Sequence, residues 1–252
     1  MIALITGATA GFGKAIAYKF AQHGYDLILT GRRKERLDDI EKEITSIYGK
    51  RVITLNFDVR SRRETEDALN SLPHDWKEVD VLINNAGLAS GLSTIQDGDI
   101  DDWETMIDTN VKGLLYVSRI VLPWLVKRNK GHVINIGSVA GKEVYPRGNV
   151  YCATKHAVDA LGKAMRIDML PHGIKVTNIN PGAAETEFSL VRYKGDQEKA
   201  TSVYKGFEPL LAEDIAEIAY FAASRPRHVV LNDIIVTPLA QAAAAYMHKE
   251  NN

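Results

Sequence analysis

Tyr151 and Lys155, four residues apart in Val150-Tyr151-Cys152-Ala153-Thr154-Lys155, could move a proton between them. On a helix, positions i and i+4 share a face. A free phenol ionises near pH ~10, and a neighbouring ammonium favours the phenolate. The pair could therefore act as acid or base closer to neutrality. Taken alone, such pairs more often decorate a solvated surface, so the chemistry depends on what surrounds them. Ser138 closes the run Ile134-Asn135-Ile136-Gly137-Ser138. A hydroxyl at the carboxyl edge of a strand is placed to hold a substrate oxygen, because ligands bind at that edge in open α/β sheets. Asn110, in Asp108-Thr109-Asn110-Val111, falls on a helical pattern and must find partners if buried.

A second constellation suits a phosphate. Thr6-Gly7-Ala8-Thr9-Ala10-Gly11-Phe12-Gly13 follows an apolar strand and opens a helix. Glycines let the backbone turn tightly and approach a pyrophosphate, while the helix start offers unpaired N–H groups and a favourable dipole. The spacing is G-x-x-x-G-x-G, which makes Gly7, Thr9, Ala10, Gly11, Phe12 and Gly13 the expected cofactor cradle. A dinucleotide without a 2′-phosphate usually needs a carboxylate about 20 residues further on, at the end of the second strand. That end reads Leu29-Thr30-Gly31-Arg32-Arg33. Guanidinium groups match a phosphate in bidentate geometry, so Arg32 and Arg33 predict NADP(H), with Arg33 also able to stack on adenine. The rival reading is that Arg32-Arg33-Lys34 merely begins a solvated helix.

These residues need a frame. Short apolar runs at Ile2–Thr6, Asp26–Thr30, Val52–Asp58, Val79–Asn84, Gly131–Ser138, Ile174–Asn180 and Asp233–Val236 read as strands. Amphipathic segments at Gly13–His23, Lys34–Tyr48, Arg62–Ser71, Asp101–Asn129, Val150–Leu170 and Ala212–Ala223 read as helices, with Pro123 a kink or turn within the fourth. The alternation predicts a Rossmann-type, doubly wound parallel sheet of about seven strands with helices on both faces. One domain covers residues 1–252, and the irregular stretch Pro181 to Pro209 is the place for a substrate lid.

Composition narrows the class. Hydrophobic residues make up 45% and charged residues 25%, and the net charge of −1 gives no field to recruit nucleic acid or an anionic membrane. Cys152 is the only cysteine, which excludes an intrachain disulfide and fits a reducing compartment. Beside Tyr151 it reads as a small helix residue, not a nucleophile. The seven histidines show no metal spacing, so no metal is expected. With no secretory pattern and no apolar run of membrane length, the expected location is cytoplasmic.

Together, Thr6-Gly7-x-x-x-Gly11-x-Gly13, Asp58-Val59, Asn84-Asn85-Ala86-Gly87, Asn110, Ser138, Tyr151-x-x-x-Lys155 and Pro181-Gly182 resemble the short-chain dehydrogenases/reductases over nearly the whole chain. The resemblance implies that Tyr151 exchanges a proton with the substrate oxygen and that Ser138 holds that oxygen. It implies that Lys155 binds the nicotinamide ribose and lowers the Tyr151 pKa, and that Asn110 holds a water in a proton relay. It puts Asp58 and Val59 against adenine, Asn85 near the adenine-side ribose, and Pro181, Gly182, Thr186 and Phe188 around the nicotinamide. It also implies a homotetramer, with the long helices and the segment Thr237–Met247 as interface candidates.

Within that family, Gly7-Ala8-Thr9-Ala10-Gly11-Phe12-Gly13, Thr30-Gly31-Arg32-Arg33, Trp103 to Asn110 and Thr186 to Asp196 look like the bacterial NADP-dependent 3-hydroxy acid dehydrogenases, including serine and allo-threonine dehydrogenases. This implies oxidation of the 3-hydroxyl of short acids such as serine, allo-threonine or 3-hydroxypropionate, or reduction of the matching semialdehyde. A short acid needs a cation, and Arg192 and Arg147 are the two candidates. Glu185 would repel such an acid unless its side chain turns away. A 3-oxoacyl-thioester reductase would not need Arg192. A non-catalytic NADP sensor would be free to lose Asn110, Ser138, Tyr151 and Lys155, all of which are present.

Overall fold

The computed structural model describes residues 1–250. Strands β1 (Ile2–Thr6), β2 (Asp26–Gly31), β3 (Val52–Asn56), β4 (Val81–Asn84), β5 (His132–Ile136), β6 (Lys175–Pro181) and β7 (Asp233–Val236) form one sheet in the order β3-β2-β1-β4-β5-β6-β7. Every neighbouring pair in it is parallel. The order reverses at β1, and a crevice at the carboxyl ends of the strands follows from that reversal.

Alternate residues of each strand face opposite sides, and both sides are covered. Ala3, Ile5, Leu27 and Leu29 pack with Ile16, Phe20, Leu37 and Ile215, which come from α1 (Gly11–Gln22), α2 (Lys34–Tyr48) and α9 (Ala212–Ala223). Leu4, Ile28, Leu82, Val133 and Val176 pack on the other side. Their partners include Leu69 of α3 (Arg62–Asn70), Val117 and Val121 of α5 (Leu114–Arg128), and Val158 and Met165 of α6 (Asn149–Met169). Burying each such side chain contributes about 1.5–3 kcal/mol. The near-continuous apolar strands are thus explained by burial on two faces, not one.

Two expectations need correction. The segment read as one helix over Asp101–Asn129 begins as α4 (Ile100–Ile107), widens into a π turn over Asp108–Gly113, and continues as α5. Pro123 lies inside α5 without ending it; its ring is on the exposed side, where the missing N–H can be replaced by water. The interruption falls at Asn110 instead, and π turns often mark functional sites.

The stretch Pro181 to Pro209 is not irregular. It holds α7 (Glu187–Arg192) and α8 (Gln197–Ser202), each a six-residue helix capped by a side chain. Thr186 accepts from the Phe188 amide and Asp196 from the Lys199 amide. Helices this short contribute too few turns for a 3.6-residue period to show in the sequence. Near the C-terminus a hairpin of β8 (Gln241–Ala243) and β9 (Tyr246–Met247) leads into residues that bond to the segment around α8. Lys249 Nζ donates to the Val203 carbonyl and the Glu250 amide to that of Gly206. Among the described residues, no helix is long and apolar enough to cross a membrane.

Candidate active site

A cavity of about 520 Å³ opens at the carboxyl edge of the sheet and reaches from Arg32 to Met247, a size suited to a small-molecule site. Its floor is the loop between β1 and α1. Gly7 and Gly11 hold φ of 67° and 50° there, a left-handed conformation that side chains disfavour. Gly13 does not line the cavity; a side-chain carbon on it would lie 2.3 Å from the Gly7 carbonyl oxygen, so its role is to let α1 close against the loop. Thr6 Oγ1 accepts from the Asn85 and Ala86 amides, each at 3.0 Å, which ties the loop to the end of β4. The Asn85 amide nitrogen donates to the Thr6 carbonyl at 2.8 Å and the Gly7 carbonyl at 3.2 Å. Asn85 therefore braces the loop while also lining the cavity.

The loop fits a pyrophosphate. Helix α1 starts with no side chain capping its first amides and no acidic residue in its first turn, leaving donors and a positive dipole end facing the cavity. Thr9, Ala10, Gly11 and Phe12 line the same wall. Arg32 and Arg33 form the far rim, joined by Asp58 and the buried Val59. Arg33 donates through Nε and Nη2 to Thr9 Oγ1 at 3.1 and 2.8 Å, and Arg32 Nη1 lies 3.7 Å from Asp58 Oδ2. Burial acts to raise the Asp58 carboxyl, but hydrogen bonds from Arg60 and the charge of Arg32 outweigh it and hold it below the usual range. Two guanidinium groups with no carboxylate at the end of β2 suit a 2′-phosphate.

The proton-handling group sits at the centre. Tyr151 and Lys155 are both buried on α6, with the Lys155 ammonium 6.0 Å from the Tyr151 ring centroid. Lys155 Nζ donates to the Ile136 carbonyl at 3.0 Å, and burial lowers its pKa to about 8. Tyr151 departs from the expectation that Lys155 would lower its pKa. Burial pushes the phenol up, with a smaller push from Tyr145, and the groups that pull it back are the Ser138 hydroxyl and the Arg192 charge. Desolvation of the phenolate by burial outweighs both. Ser138 precedes a short turn over Val139–Gly141, accepts from the Ala140 amide at 3.1 Å and donates to the Pro181 carbonyl at 3.4 Å.

Asn110 lies behind this group and not on the cavity wall. Its Nδ2 donates to the Leu88 carbonyl at 2.8 Å and to Thr154 Oγ1 at 3.0 Å, and its Oδ1 accepts from the Leu88 amide at 2.8 Å. The π turn thus clasps both the β4 loop and the helix that carries Tyr151 and Lys155.

The segment from Pro181 through α7 supplies the other wall. Pro181, Gly182, Thr186 and Phe188 all line the cavity, and the Phe188 ring lies 5.5 Å from that of Tyr151. Of the two candidate cations, Arg192 is in the site. Its guanidinium stands 5.3 Å from the Tyr145 ring centroid and 5.6 Å from that of Tyr151. Arg147 is exposed, has a left-handed φ of 66°, and does not line the cavity. It belongs to the turn leading into α6 and lines a smaller adjoining pocket that Tyr151 and Arg192 also reach. Glu185 is also exposed and off the cavity wall, so its charge does not oppose Arg192 there.

Several wall residues escaped sequence reasoning. Tyr145 carries a buried hydroxyl without a hydrogen-bonding atom paired to it in the fold, and it lines the cavity beside Arg192. Burial raises its pKa, and the Arg192 charge pulls it back. Ser189 Oγ pairs with the Tyr204 hydroxyl at 2.6 Å, and both line the wall. Gln241, Ala244 and Met247 arrive from the C-terminal hairpin, with Gln241 Oε1 accepting from the Ala183 amide at 2.8 Å. The segment expected to serve an interface thus closes the chain's own cavity. Tyr145, six residues before Tyr151, had no periodicity to mark it, and the hairpin residues are distant in sequence. Among the described residues, no cluster of His, Cys, Asp or Glu could hold a metal.

Comparison with known proteins adds three findings. A family model described as short chain dehydrogenase matches residues 1–196. The NADP-dependent 3-hydroxy acid dehydrogenase YdfG of Salmonella typhi is 48% identical over 245 residues, covering 97% of each chain, and sulfoacetaldehyde reductase 2 of Chromohalobacter salexigens is 45% identical over 246 residues, covering 97% of each. The closed form of serine dehydrogenase complexed with NADP+ superposes with a TM-score of 0.92 at 44% identity, covering 100% of both chains.

Proposed function

This chain belongs to the short-chain dehydrogenase family, and from that premise we propose that it is an NADP(H)-dependent oxidoreductase acting on the 3-hydroxyl of short 3-hydroxy acids, or on the matching carbonyl. Serine, allo-threonine and 3-hydroxypropionate are the substrates that fit. The observation that carries the substrate class is Arg192, whose guanidinium stands over both Tyr151 and Tyr145 on the cavity wall. A cation there can fork onto a carboxylate while the hydroxyl two carbons away reaches Tyr151.

Bound NADP(H) supplies the hydride acceptor or donor. The glycine loop would hold its pyrophosphate, Arg32 and Arg33 its 2′-phosphate, and Asp58 and Val59 its adenine. In alcohol oxidation, the Tyr151 phenol oxygen takes the substrate hydroxyl proton as the carbon–hydrogen bond breaks; in reduction it returns that proton to the new alkoxide. Ser138 donates a hydrogen bond to the same substrate oxygen. Burial that raises the Tyr151 phenol favours its acid form, which suits protonation of a carbonyl. Removing that proton needs added positive charge nearby, and Arg192 and Lys155 are placed to contribute. Asn110 fixes α6 against the β4 loop and would stand on the route by which Lys155 exchanges protons with solvent. The Tyr145 hydroxyl would share the substrate acid with Arg192.

We also propose a homotetramer working in the cytoplasm. Exposed apolar side chains at Ile167 and Leu170 near the end of α6, at Phe221 of α9, and at Ile235 and Leu239 in and after β7 support it. A mass by light scattering equal to the 27.9 kDa monomer would reject that assembly.

The functional test is a panel of short 3-hydroxy acids with NADP+, run beside NADPH reduction of an acetoacetyl thioester. Turnover on the acids, with little on the thioester, supports the reading. The reverse order rejects the substrate class while leaving the reaction type.

A further inference from the structure

Helix α7 is only six residues long, yet it touches both ends of the cavity. At the substrate end it carries Phe188 and Arg192. At the other end its first residue, Glu187, reaches the rim expected to hold the 2′-phosphate. Glu187 Oε2 accepts from Arg33 Nη1 at 2.8 Å, and Oε1 accepts from Arg36 Nη1 at 2.6 Å. The other edge of the Arg33 guanidinium is held by Thr9 of the glycine loop. Thr186, one residue earlier, packs over that loop as well: a side-chain carbon on Gly11 would lie 3.4 Å from Thr186 Cβ. One carboxylate therefore bridges two guanidinium groups of the β2–α2 rim, and the bridge crosses the mouth of the cofactor cavity.

We propose that Glu187 and Arg36 form a latch that holds the lid over bound NADP(H) and so sets how fast the cofactor leaves. Neither residue is part of the proton-handling group. Arg33 is the shared element: it faces Thr9 on the loop, Glu187 on the lid and the expected phosphate position. Fixing its guanidinium from two sides keeps the remaining N–H groups oriented for the phosphate. Glu187 is thus a positioning residue whose loss opens the lid and loosens Arg33 at once. Arg36 acts on the lid alone, through its single ion pair among the described residues.

The latch rests on the NADP(H) reading, so its test measures cofactor release without any hydroxy acid present. NADPH is bound to the full chain and displaced by excess NADP+ in a stopped-flow instrument, with nicotinamide fluorescence as the signal. Glu187→Gln and Arg36→Gln should each speed release, by roughly two- to fivefold, the scale expected of partly exposed ion pairs. The double variant should release no faster than Glu187→Gln, because both changes remove the same link. Unchanged release, additive effects, or slower release from Glu187→Gln would overturn the latch; the last would mean that Glu187 competes with the phosphate for Arg33. Wild-type chain that binds no NADPH would overturn the cofactor reading itself.

Discussion

The Arg192 guanidinium stands 5.6 Å from the centroid of the Tyr151 ring, carried there by α7, which follows α6 only after the whole of β6. One cation is therefore shared between the expected substrate acid and the phenol that exchanges the proton. Its charge is among the influences that pull the Tyr151 pKa down against burial. On the proposed function, substrate recognition and proton transfer would be coupled through that single side chain.

Arg192→Met should lower kcat/KM for 3-hydroxy acids by about 10- to 100-fold, the scale of a charge-assisted hydrogen bond. Methionine keeps bulk against Tyr145 while removing the charge. Steady-state rates on 3-hydroxypropionate and on its neutral amide check this. A matching loss on the amide would show that Arg192 acts by packing.

Tyr151→Phe should reduce turnover by at least about a thousandfold, near the upper range for a positioned acid–base group. NADPH should still bind, as read by fluorescence titration, since the loop and the arginine rim are untouched. Substantial residual turnover would remove Tyr151 from its role.

Arg32→Ala should raise KM for NADPH by roughly tenfold or more while leaving KM for NADH nearly unchanged, because only NADPH carries the phosphate a guanidinium would fork onto. Arg32 is the cleaner choice than Arg33, which also holds Thr9 and Glu187. Parallel losses with both cofactors would reject the assignment.

His132 governs an acid limb of stability. It is buried in β5 with Nε2 2.7 Å from Thr177 Oγ1, and burial, helped by the Lys175 charge, lowers its pKa from 6.5 to about 3. Below the unfolded value the unfolded chain takes a proton that the native chain refuses. Stability is therefore full above that value and falls as pH drops toward the folded one. Between about pH 6.5 and 5.5, above the range in which carboxylates titrate, the loss should be about 1 kcal/mol. Urea unfolding of His132→Gln should show a flatter dependence across that window; an unchanged slope would exonerate the histidine.

Legibility followed the range over which a signal acts. The parallel sheet could be read because its strands are apolar on both faces and its long helices run through several turns. Gly7, Gly11, Arg32, Tyr151 and Lys155 could be read because their spacing within one loop or one helix states their geometry. Asn110 was visible as a polar residue on a helix, but its π turn was not, since one extra residue in a turn leaves the apolar pattern almost intact. Choosing between Arg192 and Arg147 needed three dimensions: each sits in a plausible segment, and only the fold brings Arg192 to the main cavity wall. Tyr145, Gln241, Met247 and the Glu187–Arg36 pair depend on contacts between distant segments, which no local period encodes.

Cys152, the one thiol of the chain, is 1% exposed and sits directly after Tyr151 on α6. A thiol reagent can reach it only when that helix parts from its surroundings. The molecule thus carries a built-in clock: the labelling rate under native conditions times the spontaneous opening of the very element that presents the phenol, with no probe to be introduced and no second sulfhydryl to confuse the count.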